Sequence, residues 1–321
     1  MQNNPWTDLP IAPAGRLSRR RVNSASQYEL LWFRDERSHP GLLIEVDESA
    51  APSQLRNFGI NMRNVLIEIT DLPDVRLRAL LIRLTDEDKL DIFHRLCLDI
   101  AERVMHVDEK KSLLGTVCGR LKQWQSLFAG KTGGLLSSHE VQGLFAELSF
   151  LSELLKESTI SEDVAVRGWK GPHRAQQDFI LGDVTVEIKS LTGQNRGKVR
   201  ISSEDQLYTH LSRLYLRVYF MAETSDGESL NLLVPRISGC ISHTDLRALY
   251  EETLAVAGYI DLPEYDWPRF IIKERHTYLV TDHFPCITRK TLPVGIEAVS
   301  YDLLLATIES FRVTDEIVTK P

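Results

Sequence analysis

Two short apolar runs separated by Gly182-Asp183 constrain the fold of this chain more than any other feature. The segment QQDFILGDVTVEIKS, residues 176–190, is typical of two antiparallel strands joined by a two-residue turn that begins with glycine. A turn of this length fixes the register, so that Asp178 lies opposite Glu187. The segment therefore predicts a tight β-hairpin.

The predicted hairpin separates polar from apolar side chains. Because side chains alternate across a strand, Asp178, Glu187 and Lys189 share one face, and apolar side chains occupy the other. Two carboxylates held directly opposite each other repel unless a cation lies nearby. Carboxylate oxygens are ligands for Mg²⁺, and a nearby lysine can orient or deprotonate water and stabilise charge on a phosphate. In the alternative interpretation, Asp178 and Glu187 are solvated and Lys189 is simply their ion-pair partner.

A helix before the hairpin carries a third carboxylate. Residues 138–157 have helical periodicity, with four leucines in an apolar stripe. The residues three and four positions from Glu147 are uncharged, so this glutamate lies on the packed side, where a lone ionised carboxylate is costly. This favours a functional role for Glu147. By contrast, Glu153 and Glu157 lie beside Lys156 and serines and are expected in solvent.

The remaining sequence divides into segments with different patterns. We expect a β-rich N-terminal module, a helical connector, a core that contains the hairpin and a C-terminal α/β extension, at residues 1–84, 85–131, 132–235 and 236–321. The core should run helix, three strands, helix, strand. Its elements outside the hairpin are predicted at 138–157 (helix), 164–169 (strand), from a capping box at 203–206 (helix) and 214–222 (strand).

The ends of the chain are predicted from the same rules. N-terminal strands are expected at residues 29–33, 41–46, 64–69 and 78–84. C-terminal elements are expected at 230–234 (strand), 245–257 (helix), 270–272 and 277–280 (strands) and 301–311 (helix). The loop AGKTGG, residues 129–134, is predicted to be a linker, because Gln125 stands where a phosphate-binding P-loop requires glycine.

The helix carboxylate and the polar residues of the hairpin together resemble the motif of a known protein family. Glu147 on a helix, Asp178, and then Glu187-Ile188-Lys189 on a strand resemble the PD-(D/E)XK superfamily, whose fold is found in many restriction enzymes and repair nucleases. Gln177 stands in place of the proline that names the motif. A poorly characterised bacterial group of PD-(D/E)XK motif proteins is similar in GLFAEL, RGWKGP, QQDF, VEIKS and SSEDQL, between residues 143 and 207, and more weakly in FPCI and YDLLL near the C-terminus.

The resemblance implies both an architecture and an activity. The fold would be α+β with a restriction-endonuclease-like core, and the activity would be divalent-metal-dependent hydrolysis of DNA in prokaryotic defence. Asp178 and Glu187 would bind Mg²⁺ or Mn²⁺, Lys189 would be catalytic, and Glu147 would complete or tune the site. Gln206 would support the site or contact DNA. Two alternatives remain: a non-cleaving DNA-binding or assembly subunit, and a nuclease that acts on RNA.

Charge and composition limit the partners. The formal charge is -7 and the pI about 5.8, so any DNA contact must come from a local basic patch. Arg196, Lys198 and Arg200 follow the hairpin and are expected to contact DNA. ATPase or helicase-like proteins of a defence cluster are expected partners by resemblance, and the chain could form a homo-oligomer. Widely spaced cysteines and the absence of a signal or membrane segment indicate a cytoplasmic protein without a membrane partner.

Overall fold

A computed structural model describes residues 4–22, 26–72, 77–129, 135–156, 159–173, 175–193 and 197–318 of the chain. It forms two compact units, Met1–Leu135 and Leu136–Pro321. The finer division into four segments stays a prediction, and most of the predicted linker, residues 130–134, lies outside the described residues. Across the described ranges, none of the helices combines the length and apolar content needed to cross a membrane.

The first unit is built on an antiparallel five-stranded sheet. Its elements are β1 (Ser18–Arg21), β2 (Leu30–Arg34), β3 (Pro40–Glu45), α1 (Pro52–Phe58), β4 (Val65–Leu72), β5 (Leu77–Leu84), α2 (Leu90–Met105) and α3 (Lys110–Ala129). The strands lie in the order β1-β2-β3-β5-β4. The four predicted strands are confirmed as β2 to β5. The indole of Trp6 packs against Trp32 of β2 and Phe93 of α2, which joins the sheet to this helix.

The second unit contains the hairpin. Its elements are α4 (Ser138–Lys156), α5 (Glu162–Gly168), β6 (Phe179–Leu181), β7 (Val184–Leu191), β8 (Lys198–Ile201), β9 (Arg213–Glu228), α6 (Leu230–Cys240), α7 (Thr244–Val256), β10 (Phe270–Val280), β11 (Tyr301–Leu304) and β12 (Arg312–Val313). The main sheet has the order β12-β10-β9-β7-β6, in which β7 and β9 are parallel. Strands β8 and β11 form a separate antiparallel pair. The predicted α+β class is confirmed.

The predicted hairpin register is confirmed. Leu181 pairs with Val184 and Phe179 with Val186, which leaves Asp178 directly before β6. Gly182 has a φ of 65°, a left-handed conformation that glycine adopts without steric cost, and it closes the turn. The ring of Phe179 packs edge-on against Phe150 of α4, with 4.8 Å between centroids. The apolar side of the hairpin is thereby attached to the helix that carries Glu147.

The strand predicted at 164–169 is wrong, because this segment forms α5. Ser161 caps the helix by accepting a hydrogen bond on Oγ from the backbone N–H of Val164 at 3.3 Å, and two acidic residues occupy the first turn. Only Trp169, after the helix, makes a β-bridge, to Phe179. Capping and dipole effects therefore outweigh the β-branched composition of the segment.

The helix predicted to begin at the 203–206 capping box is also wrong. These residues form a turn in which Ser203 Oγ accepts from the backbone N–H of Asp205 at 3.2 Å. The amide Nε2 of Gln177 donates to the carbonyls of Asp205 at 2.9 Å and Tyr208 at 2.8 Å. Because those carbonyls are already satisfied by a side chain, the turn does not need to continue as a helix.

Four C-terminal predictions also change. Residues 230–234 belong to α6 instead of a strand, since Leu230, Leu233 and Ile237 share one buried helical face. The predicted strands at 270–272 and 277–280 form the single strand β10, with an irregularity between Ile272 and Glu274. The predicted helix at 301–311 is replaced by β11 and short 3-10 turns. The predicted boundary after residue 235 falls inside α6.

The prediction that Glu153 lies in solvent is wrong, because Glu153 forms ion pairs with two arginines. Its carboxylate binds Arg217 at 2.6 Å and Arg275 at 3.1 Å, and the Arg217 side chain is fully buried. Sequence neighbours gave no sign of this contact, because both arginines lie on strands far along the chain. Glu157 lies outside the described residues.

Candidate active site

A cleft of about 440 Å³ in the second unit collects most of the predicted site residues. Its charged lining side chains are four carboxylates and three cations, besides a histidine: Glu147, Asp178, Glu187, Asp302, Lys189, Lys198, Arg200 and His139. Gln206 also lines it. Seven of the eight predicted site residues therefore share one cleft, and the eighth, Arg196, lies outside the described residues. With every carboxylate counted as ionised and the histidine as neutral, the lining has a formal charge of -1.

Asp178 is fixed by the backbone on both sides of it. Its Oδ2 accepts a hydrogen bond from the N–H of Ile188 at 2.7 Å, which crosses the hairpin to β7. Its main-chain carbonyl accepts from the N–H groups of Lys170 at 2.7 Å and Gly171 at 3.0 Å. Burial raises the pKa of Asp178, against the opposing effects of Lys189 and the Ile188 N–H.

Glu187 and Lys189 form a buried ion pair. Lys189 Nζ lies 2.7 Å from Glu187 Oε1, and the Glu187 side chain is 1% exposed. Burial, with the charge of Asp178, raises the pKa of Glu187 to about 8 even though Lys189 opposes the shift. Burial alone would lower the pKa of Lys189, but the carboxylates of Glu187, Asp178 and Glu147 outweigh it and raise that pKa. Lys189 is therefore a cation at neutral pH.

Glu147 reaches the cleft from α4. Its Oε2 accepts a hydrogen bond from the indole Nε1 of Trp169 at 2.7 Å. Burial raises the pKa of Glu147 well above its usual range, the charge of Asp178 adds to this, and the Trp169 donor opposes it. Trp169 itself is buried. Its hydrogen bond to Glu147 was missed, because it depends on the turn after α5.

Gly171 leaves room for two of these carboxylates. A Cβ on this residue would lie 2.9 Å from Asp178 Oδ1 and closer still to Glu147 Oε2. Contacts this short are not tolerated, so any side chain here would displace one of the two carboxylates. The only sequence signal is the glycine in RGWKGP, which by itself indicates a turn.

The residues present fit a hard divalent cation. Three carboxylates with raised pKa values, one buried and two partly buried, repel one another, and carboxylate oxygens are the ligands that Mg²⁺ prefers. Across the described ranges, no group of three or more His, Cys, Asp or Glu side chains forms a ready-made metal cluster. Mg²⁺ commonly takes one or two protein carboxylates and fills its other positions with water and phosphate. Asp178 and Glu187 are the two that suit this role.

Gln206 is held beside Lys189 by the turn that carries it. Its Oε1 accepts from Lys189 Nζ at 3.3 Å and from the backbone N–H of Ser202 at 2.8 Å. Gln177, the residue that replaces the motif proline, fixes this turn, because its side-chain amide donates hydrogen bonds to the carbonyls of Asp205 and Tyr208. Gln177 thus supports the position of Gln206, a contact for which the sequence provides no signal.

Lys198 and Arg200 line the cleft from β8, and both bind Asp302 of β11, at 2.6 Å and 3.3 Å. Asp302 was not predicted as a site residue, although it lies in the YDLLL segment noted in the sequence. Because Asp302 is about 100 residues away from β8, at separations of 104 and 102 positions, only the fold reveals this contact.

The chain matches the model of a known protein family. A family model described as "Putative PD-(D/E)XK family member, (DUF4420)" matches residues 2–306 of the chain. No curated protein matches the chain, and no solved structure does.

Proposed function

This chain belongs to the DUF4420 family of PD-(D/E)XK proteins, and from that premise we propose that it is a divalent-metal-dependent endonuclease acting on DNA. One observation carries the proposal: Glu147, Asp178, Glu187 and Lys189 line the same cleft. A buried cluster of carboxylates with one lysine is costly for stability, and such perturbed groups in a cleft are typical of catalytic sites.

Asp178 and Glu187 would hold Mg²⁺ or Mn²⁺, with Asp178 oriented by the Ile188 N–H. When bound, such an ion polarises a phosphoryl oxygen and lowers the pKa of water. The protein itself contributes orientation and charge. The chain supplies the carboxylates already buried and fixed, so little rearrangement is needed before the reaction.

Lys189 acts as a fixed cation. Its ammonium is held between Glu187 at 2.7 Å and Gln206 at 3.3 Å, and its raised pKa keeps it protonated. Of the two roles considered for this lysine, charge stabilisation at the phosphate is favoured over deprotonation of water. The raised pKa of Glu147 favours its protonated form, which reduces repulsion among the three carboxylates.

The cellular role follows the resemblance to defence-associated proteins. We propose cytoplasmic action against foreign DNA, with ATPase or helicase-like proteins bringing the nuclease to its substrate. The net charge of -7 supports dependence on partners, since the chain as a whole does not attract nucleic acid.

The test is cleavage of supercoiled, linear and single-stranded DNA, with single-stranded RNA alongside, in Mg²⁺ or Mn²⁺, with and without the products of neighbouring genes. Wild type should cut DNA, and Lys189→Ala should lose activity by about a hundredfold or more, the scale for a lost charge stabiliser. Lys273→Ala, an exposed lysine of the same unit outside the cleft, should cut like wild type. Equal rates for both variants would contradict the proposed function.

A non-cleaving DNA-binding or assembly subunit is the second candidate. The observation that favours it is the net charge of -7 of the chain, which as a whole does not attract nucleic acid. Asp178→Asn keeps size while removing a charged metal ligand. If this variant protects cells against phage as well as wild type does, with the whole gene cluster present, the subunit role replaces the nuclease.

A further inference from the structure

We propose that Asp302 sets the nucleic-acid affinity of the cleft by competing with substrate phosphates for Lys198 and Arg200. The inference rests on the proposed function, because it assumes that a polyanion enters this cleft. It assigns a role to the YDLLL segment, in which Asp302 lies. It also predicts a gain of binding when an acidic residue is removed, which few other roles for Asp302 would produce.

The fold presents Asp302 and both cations on the same side of a two-stranded ribbon. In the β8–β11 pair, Arg200 lies directly opposite Asp302, and Lys198 is diagonal to it. The alternate side chains of these strands, including Val199 and Leu303, are buried in the apolar cluster beneath. The ribbon therefore cannot turn its charged face away from the cleft without exposing its apolar face.

The contacts of Asp302 match those of a phosphate. Its Oδ2 lies 2.6 Å from Lys198 Nζ, and its Oδ1 lies 3.3 Å from Arg200 Nη1. Each carboxylate oxygen thus engages one cation, as two oxygens of a phosphate group could. These hydrogen bonds also lower the pKa of Asp302, so it stays ionised at neutral pH.

The exchange is energetically feasible because the three side chains are partly exposed, at 43%, 57% and 36% for Lys198, Arg200 and Asp302. Exposed ion pairs contribute little to stability, so phosphate can displace the carboxylate. The displaced carboxylate nevertheless remains beside the incoming phosphate and repels it. A nucleic-acid strand with several phosphates offsets this repulsion through its other contacts, whereas a ligand with a single phosphate does not.

The test measures binding in the Lys189→Ala background, which separates affinity from cleavage. Labelled duplex and single-stranded DNA are titrated without metal at several salt concentrations. Adding Asp302→Asn should tighten binding about fivefold, the scale of one nearby unit charge in water. It should also steepen the dependence of log K on log salt by up to about 1, because one more phosphate contact releases counterions.

Asp163→Asn is the matched control. Asp163 also forms an exposed ion pair with an arginine in this unit, at 2.7 Å from Arg167, but it does not line the cleft. This variant makes the same change in total charge and should leave affinity unchanged. Asp302→Ser, with folding checked by circular dichroism, repeats the test should the asparagine disturb β11.

Two results would overturn the inference. The first is unchanged or weaker binding by folded Asp302 variants, which would make Asp302 a residue that orients the cations. The second is a gain that persists when Lys198 and Arg200 are both replaced by alanine, since the competition would then have no target. Cleavage by protein with Lys189 intact decides the proposed function separately, so the two failures are distinguishable.

Discussion

Trp169 donates its indole N–H to Glu147 at 2.7 Å, a hydrogen bond between residues 22 positions apart that holds the α4 carboxylate in the cleft. Glu147 is partly buried, and its pKa is raised well above the usual range by burial and then by the charge of Asp178. The indole is a neutral donor that stabilises the ionised form. Trp169, which follows α5, therefore affects both the position and the pKa of Glu147 on α4.

Trp169→Phe tests this control, because it keeps an aromatic ring and removes the donor. Losing a hydrogen bond to a buried carboxylate should cost about 1–3 kcal/mol in the free energy of unfolding. The pKa of Glu147 should rise further, since the Trp169 donor opposes its upward shift. We expect slower cleavage and a pH–rate profile displaced towards higher pH, measured under single-turnover conditions. Trp267→Phe, at an exposed tryptophan, is the control. A loss of stability with an unmoved pH profile would make Trp169 purely structural.

Gly171→Ala should separate the two carboxylates that converge on this glycine. Because the new Cβ would crowd Asp178 Oδ1 and Glu147 Oε2, one carboxylate must move. We expect weaker Mn²⁺ binding by calorimetry and at least a tenfold loss of cleavage, the scale of a small misplacement in an active site. Gly239→Ala places its Cβ in open space within α6 and should be neutral or slightly stabilising. Normal metal affinity in Gly171→Ala would show that the two carboxylates need not be this close.

The stability of the metal-free protein should fall as pH rises. Glu187 has a folded pKa of about 8 against an ordinary value of 4.5, so the folded state binds more protons than the unfolded state between these values. The free energy of unfolding therefore decreases with pH across this window. Glu147 and Asp178 shift in the same direction.

Denaturant titrations of the full chain from pH 5 to pH 8 measure this slope. Glu187→Gln should flatten it, whereas Glu309→Gln, at an exposed site paired with Arg312, should not. Excess Mg²⁺ at pH 8 should raise the free energy of unfolding of the wild-type protein, because the ion binds only the folded state. A wild-type slope of zero or of opposite sign would mean that the carboxylates are not buried together.

The sequence correctly predicted those features that depend only on residues close together along the chain. The register of β6 and β7 follows from a short turn with Gly182 at φ 65°, and the partly buried position of Glu147 follows from the helical period of α4. Site contacts from distant segments were not accessible in this way. Asp302 meets Lys198 across 104 positions, and Trp169 meets Glu147 only because α5 replaces the predicted strand. Neither contact leaves a pattern in the residues that flank it.

Gln177 shows how a departure from a motif can carry a function of its own. It occupies the position of the motif proline, is buried, and donates to the carbonyls of Asp205 at 2.9 Å and Tyr208 at 2.8 Å. A proline has no side-chain amide and could make neither contact. The turn that presents Gln206 to Lys189 is thus attached to the start of the hairpin by this one side chain.

Gln177→Ala should remove the side-chain donor of two carbonyls and free the turn, which lowers the free energy of unfolding by about 1–3 kcal/mol. Cleavage should fall as Gln206 moves away from Lys189, and Gln206→Ala should add little to the loss, because both changes break the same chain of contacts. Gln177→Pro restores the motif in sequence and should nevertheless be as impaired as the alanine variant. Single-turnover rates of the two single variants and of the Gln177→Ala/Gln206→Ala double variant test this coupling.

Asn231→Ala, which also removes a side-chain amide that donates to a backbone carbonyl in this unit, controls for the general cost of such a loss. If the proline variant is fully active, or if the losses in the double variant simply add, Gln177 does not act through Gln206.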